Sequence, residues 1–220
     1  MLNNMPAQVP LSPYAWEQDW RDQTVVIVAS GPSAKTAPLH LARDKARFIT
    51  VNDSWRLAAW ADVLYAADYS WWHLNNGCPE FSGTKMSVNI DSNRKRKWNI
   101  QCIPCDTGSN QILLRGSGKI GWGGGSGFGA LNIAVQSGCR SILLVGYDFT
   151  LDFSSHWFGD YSEPLENPDQ QKIVQWRGAV EAALPMITDA GITVINCSQI
   201  STLRYLPKVD FATAVKYIFD

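Results

Sequence analysis

The run Thr24-Val25-Val26-Ile27-Val28-Ala29 leads without alternation into Ser30-Gly31-Pro32-Ser33. An apolar stretch with no polar face belongs to a strand covered on both sides, as in a parallel sheet between helices. The Gly-Pro turn places a tight loop at the carboxyl end of that strand, and ligands of open α/β sheets bind outside those ends. Gly31 lets backbone approach a bound group, Pro32 fixes φ, and Ser33 is placed to cap a following helix. Amides exposed at such a turn can hold a phosphate. A plain β-to-α turn without a ligand is the equal alternative. The loop is neither a Walker A motif nor G-x-G-x-x-G.

Beyond this strand the pattern alternates. Further strands are predicted over 47–51, 62–66, 85–88, 100–104, 141–145 and 193–196, and helices over 33–45, 54–61, 126–136, 169–190 and 211–219. Such alternation predicts a single α/β domain, a mostly parallel sheet with helices on both faces, over 23–220. Residues 1–22 read as a polar, Pro-rich lead-in with Trp16 and Trp20 as anchors.

Composition narrows the classes. In 220 residues, 45% hydrophobic and 18% charged content fits a folded chain, and a net charge of −1 gives no global field for nucleic acid or an anionic membrane. The run Asn93-Arg94-Lys95-Arg96-Lys97 is read as a solvated loop able to meet an anionic partner. Ten Trp suggest core packing, with stacking on a sugar or base as the sharper alternative. Five Cys argue against a disulfide scaffold, and Cys102-Ile103-Pro104-Cys105 has no second pair for zinc. No apolar stretch nears the roughly 20 residues of a membrane span, and the amino terminus does not resemble a signal peptide. The expected location is the cytoplasm.

Other loops carry chemistry-bearing residues. Asn52 follows the second strand, where an Asn or Asp can bond a ribose or base edge. Asp68 follows the third. For Asp53, Ser54 and Asp68 the alternative is helix capping. Gly121-Trp122-Gly123-Gly124-Gly125-Ser126-Gly127-Phe128-Gly129 lets backbone approach a ligand, with Ser126 opening the next helix; a merely flexible loop is the alternative. Asp148 ends a strand, and His156 lies in a polar-aromatic loop beyond it, a natural general base. Asp148, Asp160 or Glu163 can orient His156 or bind a metal, although their spacing is a weak metal signal.

Taken in order, strand-G-P-S, strand-V-N-D-S, G-S-G opening A-L-N-I-A-V-Q-S-G-C, I-L-L-V-G-Y-D-F, S-H-W-F-G-D-Y and V-I-N-C-S-x-x-S-x-L resemble a known group. They look like the bacterial sialyltransferases with a single modified Rossmann domain. They also look like the related domain of flagellin-glycosylation accessory factors and of archaeal-type hydroxymethylpterin diphosphokinases. The likeness runs from about Thr24 to Pro207, and compact versions of the pattern are often prophage-encoded. It implies a Rossmann-like, GT-A-variant fold and a glycosyltransferase using a nucleotide-activated, CMP-linked sugar.

Residue by residue, the resemblance implies a nucleotide-phosphate loop at Ser30, Gly31, Pro32 and Ser33. It implies nucleotide contacts from Asn52, with Asp148 near the nucleotide; Asp68 joins the nucleotide-binding candidates by its strand-end position alone. Gly125, Ser126 and Gly127 match a turn that binds cytidine and donor sugar. Asn196, Cys197, Ser198 and Ser201 match a turn that closes the pocket, and His156 matches the general base. The sialyltransferases insert a substantial lid before that His, whereas here His156 comes seven positions after Phe149. Tyr161 is the nearby substitute for the lid tyrosines, and the Trp71-Trp72 pair or the Trp122 loop are candidates to exclude water. No cofactor or metal is then required. The acceptor is a glycan, a protein or modified DNA, and homo-oligomerisation is open. The alternatives are a Mg²⁺-dependent, ATP-using pterin-type diphosphokinase with Asp148 and Asp68 as metal ligands, or a non-catalytic nucleotide-binding module.

Overall fold

In the computed structural model, residues 14–88 and 90–220 are described. The first part of the lead-in, 1–13, lies outside them. Its remainder packs onto the domain, with Trp16 and Trp20 each 5% exposed in the core.

Strands β1 (Thr24–Val28), β2 (Arg47–Val51), β3 (Val63–Tyr65), β4 (Thr84–Ser87) and β5 (Ile100–Cys102) run in chain order on one side. A separate parallel pair, β6 (Cys105–Asp106) and β7 (Ile120–Gly121), follows. The chain then returns to the other side of β1 with β8 (Ser141–Val145) and β9 (Thr193–Asn196). The sheet order is β5-β4-β3-β2-β1-β8-β9, parallel throughout. The expected single-domain, Rossmann-like α/β architecture is therefore present.

Period-two alternation divides each central strand between two cores. Val25 and Ile27 face the layer that holds α3 (Ser126–Gln136) and α4 (Gln170–Asp189). Val26 and Val28 face the layer that holds α1 (Tyr69–Leu74) and α5 (Phe211–Phe219). All five β1 residues are buried, and burying each Val or Ile contributes about 1.5–3 kcal/mol. Helix α3 is buried from Phe128 through Gln136.

The structure corrects several local expectations. The helix expected over 33–45 is two 3-10 turns, Pro32–Thr36 and Leu39–Ala42, and that over 54–61 is the single turn Asn52–Arg56. Pro38 lies between the first two turns and lacks the N–H that a continuous helix would use. The basic run expected as a loop lies in α2 (Ser92–Trp98), capped by the Asp91 carboxylate on the Asn93 and Arg94 N–H groups. All five cysteines are free thiols. Among the described residues no helix is long and apolar enough to cross a membrane.

Candidate ligand pocket at the carboxyl edge of the sheet

Chain order reverses between β1 and β8, so the loops leaving these neighbouring strands diverge. A cavity of about 620 Å³ opens there, walled by the loops after β1, β2, β3 and β8 and by the start of α3. This is the switch-point crevice of an open α/β sheet.

The β1 and β8 loops are in contact. The Gly31 N–H donates to the Gly146 carbonyl at 3.0 Å. A Cβ on Gly31 would lie 2.4 Å from that oxygen and 2.5 Å from Asp148 Oδ2, so only glycine fits. Ser33 does not cap a helix. Its N–H donates to Asp148 Oδ2 at 2.8 Å and its hydroxyl to Oδ1 at 2.5 Å. Asp148 is 2% exposed. Burial pushes its carboxyl above the usual carboxylate range, and the two Ser33 hydrogen bonds oppose the rise. Ser30, Gly31 and Pro32 line the pocket, whereas Ser33 stands behind it.

After β2, Asn52 lines the pocket in the left-handed region at φ 50°, and its buried Oδ1 has no hydrogen-bond partner. Asp53 ties three elements together. Its Oδ2 accepts from Trp71 Nε1 and from the Tyr161 hydroxyl, each at 2.7 Å. Asp68 lines the pocket and caps α1 by accepting from the Ser70 N–H at 2.7 Å.

The glycine loop is fixed from below by α3. Asn132, fully buried, accepts from the Gly121 and Leu113 N–H groups and donates to the Leu113 carbonyl. Ser126 Oγ accepts from the Ala67 N–H at 3.0 Å, and the Tyr147 hydroxyl donates to the Gly127 carbonyl at 2.8 Å. Gly125, Ser126 and Gly127 all line the pocket. The first N–H groups of α3, which have no intrahelical carbonyl to reach, belong to this wall. Trp176 lies over the loop. A Cβ on Gly124, which is at φ 86°, would sit 2.9 Å from its indole.

His156 is half-buried between Phe158, stacked at 5.0 Å, and Tyr161, tilted at 4.8 Å. Its neighbour Trp157 holds it in place: the Trp157 N–H donates to the Ser30 carbonyl at 2.9 Å, and its Nε1 to Ser54 Oγ at 3.2 Å. His156 Nδ1 lies 3.3 Å from the Gly159 carbonyl, so in the neutral ring Nδ1 carries the proton and Nε2 keeps its lone pair. Burial lowers the ring's pKa, against smaller opposing effects of Gly159, Asp160 and Asp53. Tyr161 lines the same pocket, but its hydroxyl is engaged by Asp53, and burial pushes the phenol pKa up.

Asn196 and Ser198 do not line the pocket. Ser198 Oγ donates to the Leu144 carbonyl and accepts from the Tyr147 N–H, and Asn196 Oδ1 accepts from the Ser198 N–H. They brace the end of β8 from behind. Trp72 is likewise absent from the pocket, with its indole N–H on the Ala66 carbonyl, while Trp71 and Trp122 line it. Among the described residues no group of three or more His, Cys, Asp or Glu side chains could hold a metal ion.

One wall of the pocket carries no sequence motif. Pro164, Leu165, Glu166, Asn167 and Pro168, with Lys172, Ile173 and Trp176 of α4, also border the cavity. Asn167 exchanges two hydrogen bonds with the Tyr161 backbone, at 2.8 and 2.9 Å, which shapes this segment. The available signal was length: 146–169 has no regular secondary structure, and loops longer than about 12–15 residues are usually functional or disordered.

Fold and site together define a Rossmann-like α/β protein with a preformed pocket at its switch point. No protein-family model, curated protein or solved structure matches the chain.

Proposed function

We propose that the protein is a glycosyltransferase that uses a nucleotide-activated, CMP-linked sugar, with His156 as general base. The observation that carries this reading is the state of His156: a pocket-lining imidazole with Nδ1 on a carbonyl and a lowered pKa. Such a ring offers Nε2 as a base at neutral pH. The cavity, about 620 Å³, falls within the roughly 300–1,000 Å³ of small-molecule sites. Phe149, in the left-handed region at φ 51°, borders it, and such strain in a bulky residue clusters at functional sites.

In the proposed reaction His156 Nε2 takes the proton of an acceptor hydroxyl. The acceptor oxygen bonds to the anomeric carbon, and the bond from that carbon to the phosphate oxygen breaks. The phosphate leaves with the electron pair, its charge met by the first N–H groups of α3, because the Gly31 and Ser33 amides are already bonded to Gly146 and Asp148. Tyr161 acts as a wall against the imidazole, because its hydroxyl is held by Asp53. The diphosphokinase alternative needs Asp148 and Asp68 as ligands, yet both Asp148 oxygens accept from Ser33 and Asp68 caps α1.

The test is nucleotide release from CMP-, UDP- and GDP-linked sugars, with and without simple sugar acceptors, by the wild-type chain and His156→Ala. Release from a CMP-linked donor, lowered about 100-fold or more in the variant, is expected. No release from any donor, or an unchanged rate in the variant, overturns the proposal.

A further inference from the structure

A nucleotide brings phosphate charge into the pocket, and among the described lining residues Lys172 is the one lysine or arginine. The acidic groups of the lining are Asp68, Asp148 and Glu166, and His156 is held toward its neutral form. Lys172 lies in the first turn of α4, which Asp169 caps through the Lys172 N–H at 2.7 Å. Trp176, one turn further on, lies over the glycine loop. Positions four apart share a helix face, so α4 presents a cation and an indole to the cavity together.

Lys172 Nζ is 2.8 Å from Glu166 Oε2, and the two side chains are 42% and 82% exposed. Ion pairs this exposed are weak and screened by salt. A phosphate contact inside a partly enclosed pocket is stronger, because the ammonium then meets a more concentrated charge away from bulk water. Glu166, once released, is already almost fully hydrated.

We propose that Lys172 is the phosphate-binding cation of this pocket and that it exchanges Glu166 for a nucleotide phosphate as the ligand enters. The assignment rests on the nucleotide reading of the pocket. It makes Glu166 a competitor for the lysine, which sets the affinity for anions without touching the ligand.

Isothermal titration of CMP and of cytidine into the wild-type chain, Lys172→Gln and Glu166→Gln tests it, with thermal melting as a check on folding. Wild type is expected to prefer CMP to cytidine. K172Q is expected to weaken CMP binding by about tenfold or more and to leave cytidine binding within about twofold, the size of a weak rim effect. E166Q is expected to tighten CMP binding. Equal CMP affinity in wild type and K172Q overturns the assignment and leaves the nucleotide reading standing. A matching loss of cytidine affinity in K172Q also overturns it, because the effect is then not on phosphate. Failure of CMP, UMP, GMP and cytidine to bind wild type overturns the nucleotide reading, and the assignment with it.

Discussion

Ser33 and Asp148, 115 positions apart, are joined by two hydrogen bonds that lock the loop after β1 to the loop after β8. The switch-point crevice therefore has a fixed mouth. Asp148→Ala leaves the N–H and the hydroxyl of half-buried Ser33 unpaired and is expected to cost about 2–3 kcal/mol, measured by urea unfolding. Ser33→Ala is expected to cost about 1 kcal/mol, and the double variant less than the sum, because the groups share their bonds.

Gly31→Ala tests the close approach of the same two loops. Its Cβ would meet the Gly146 backbone oxygen at 2.4 Å and, at 2.5 Å, a carboxylate oxygen of Asp148, whose side chain is pinned by Ser33. A loss of about 1–3 kcal/mol is expected in unfolding experiments. A neutral change would mean that the loops separate readily in solution.

Tyr161→Phe removes the hydroxyl bond to Asp53 and keeps the ring against His156. The expected loss is about 1 kcal/mol of stability, with turnover of the sugar donor lowered less than fivefold. A larger loss of kcat with unchanged stability would make the phenol a catalytic group.

The lowered pKa of His156 fixes two pH dependences. The folded ring binds its proton less readily than the unfolded ring, whose ordinary value is 6.5. Stability should therefore fall as pH drops through 6.5 toward the folded value and level off below it. The acid limb of kcat/KM should lie below pH 6.5 and vanish in His156→Gln. Chemical denaturation and rate profiles between pH 5 and 8 check both.

Much of this fold was legible because its signals are local and strong. The unalternating runs Val25–Val28 and Ile142–Val145 mark central strands, and Ser126–Gln136 and Phe211–Phe219 appear as helices over the bounds read from the sequence. The 3-10 turns after β1 and β2 were not legible, because Ser33 and Asp53 spend their polar groups on partners far along the chain. For the site, glycine and strand-end positions placed Gly31, Asn52, Ser126, Asp148 and His156 around one cavity. Asn196 and Ser198 carry the same kind of side chain at a strand end but turn inward to brace β8. Lys172 and Glu166 carried no motif, since what distinguishes them is the position of α4 over the pocket.

The most direct measurement is a titration of the wild-type chain with CMP, CDP, UDP and GDP, followed by tryptophan fluorescence and by calorimetry. Trp122 and Trp176 line the pocket and should report its occupancy. Saturable one-to-one binding of CMP, with a fluorescence change that weakens in Trp176→Phe, is the expected result. Flat titrations with all of these nucleotides by both methods would contradict the nucleotide-sugar pocket.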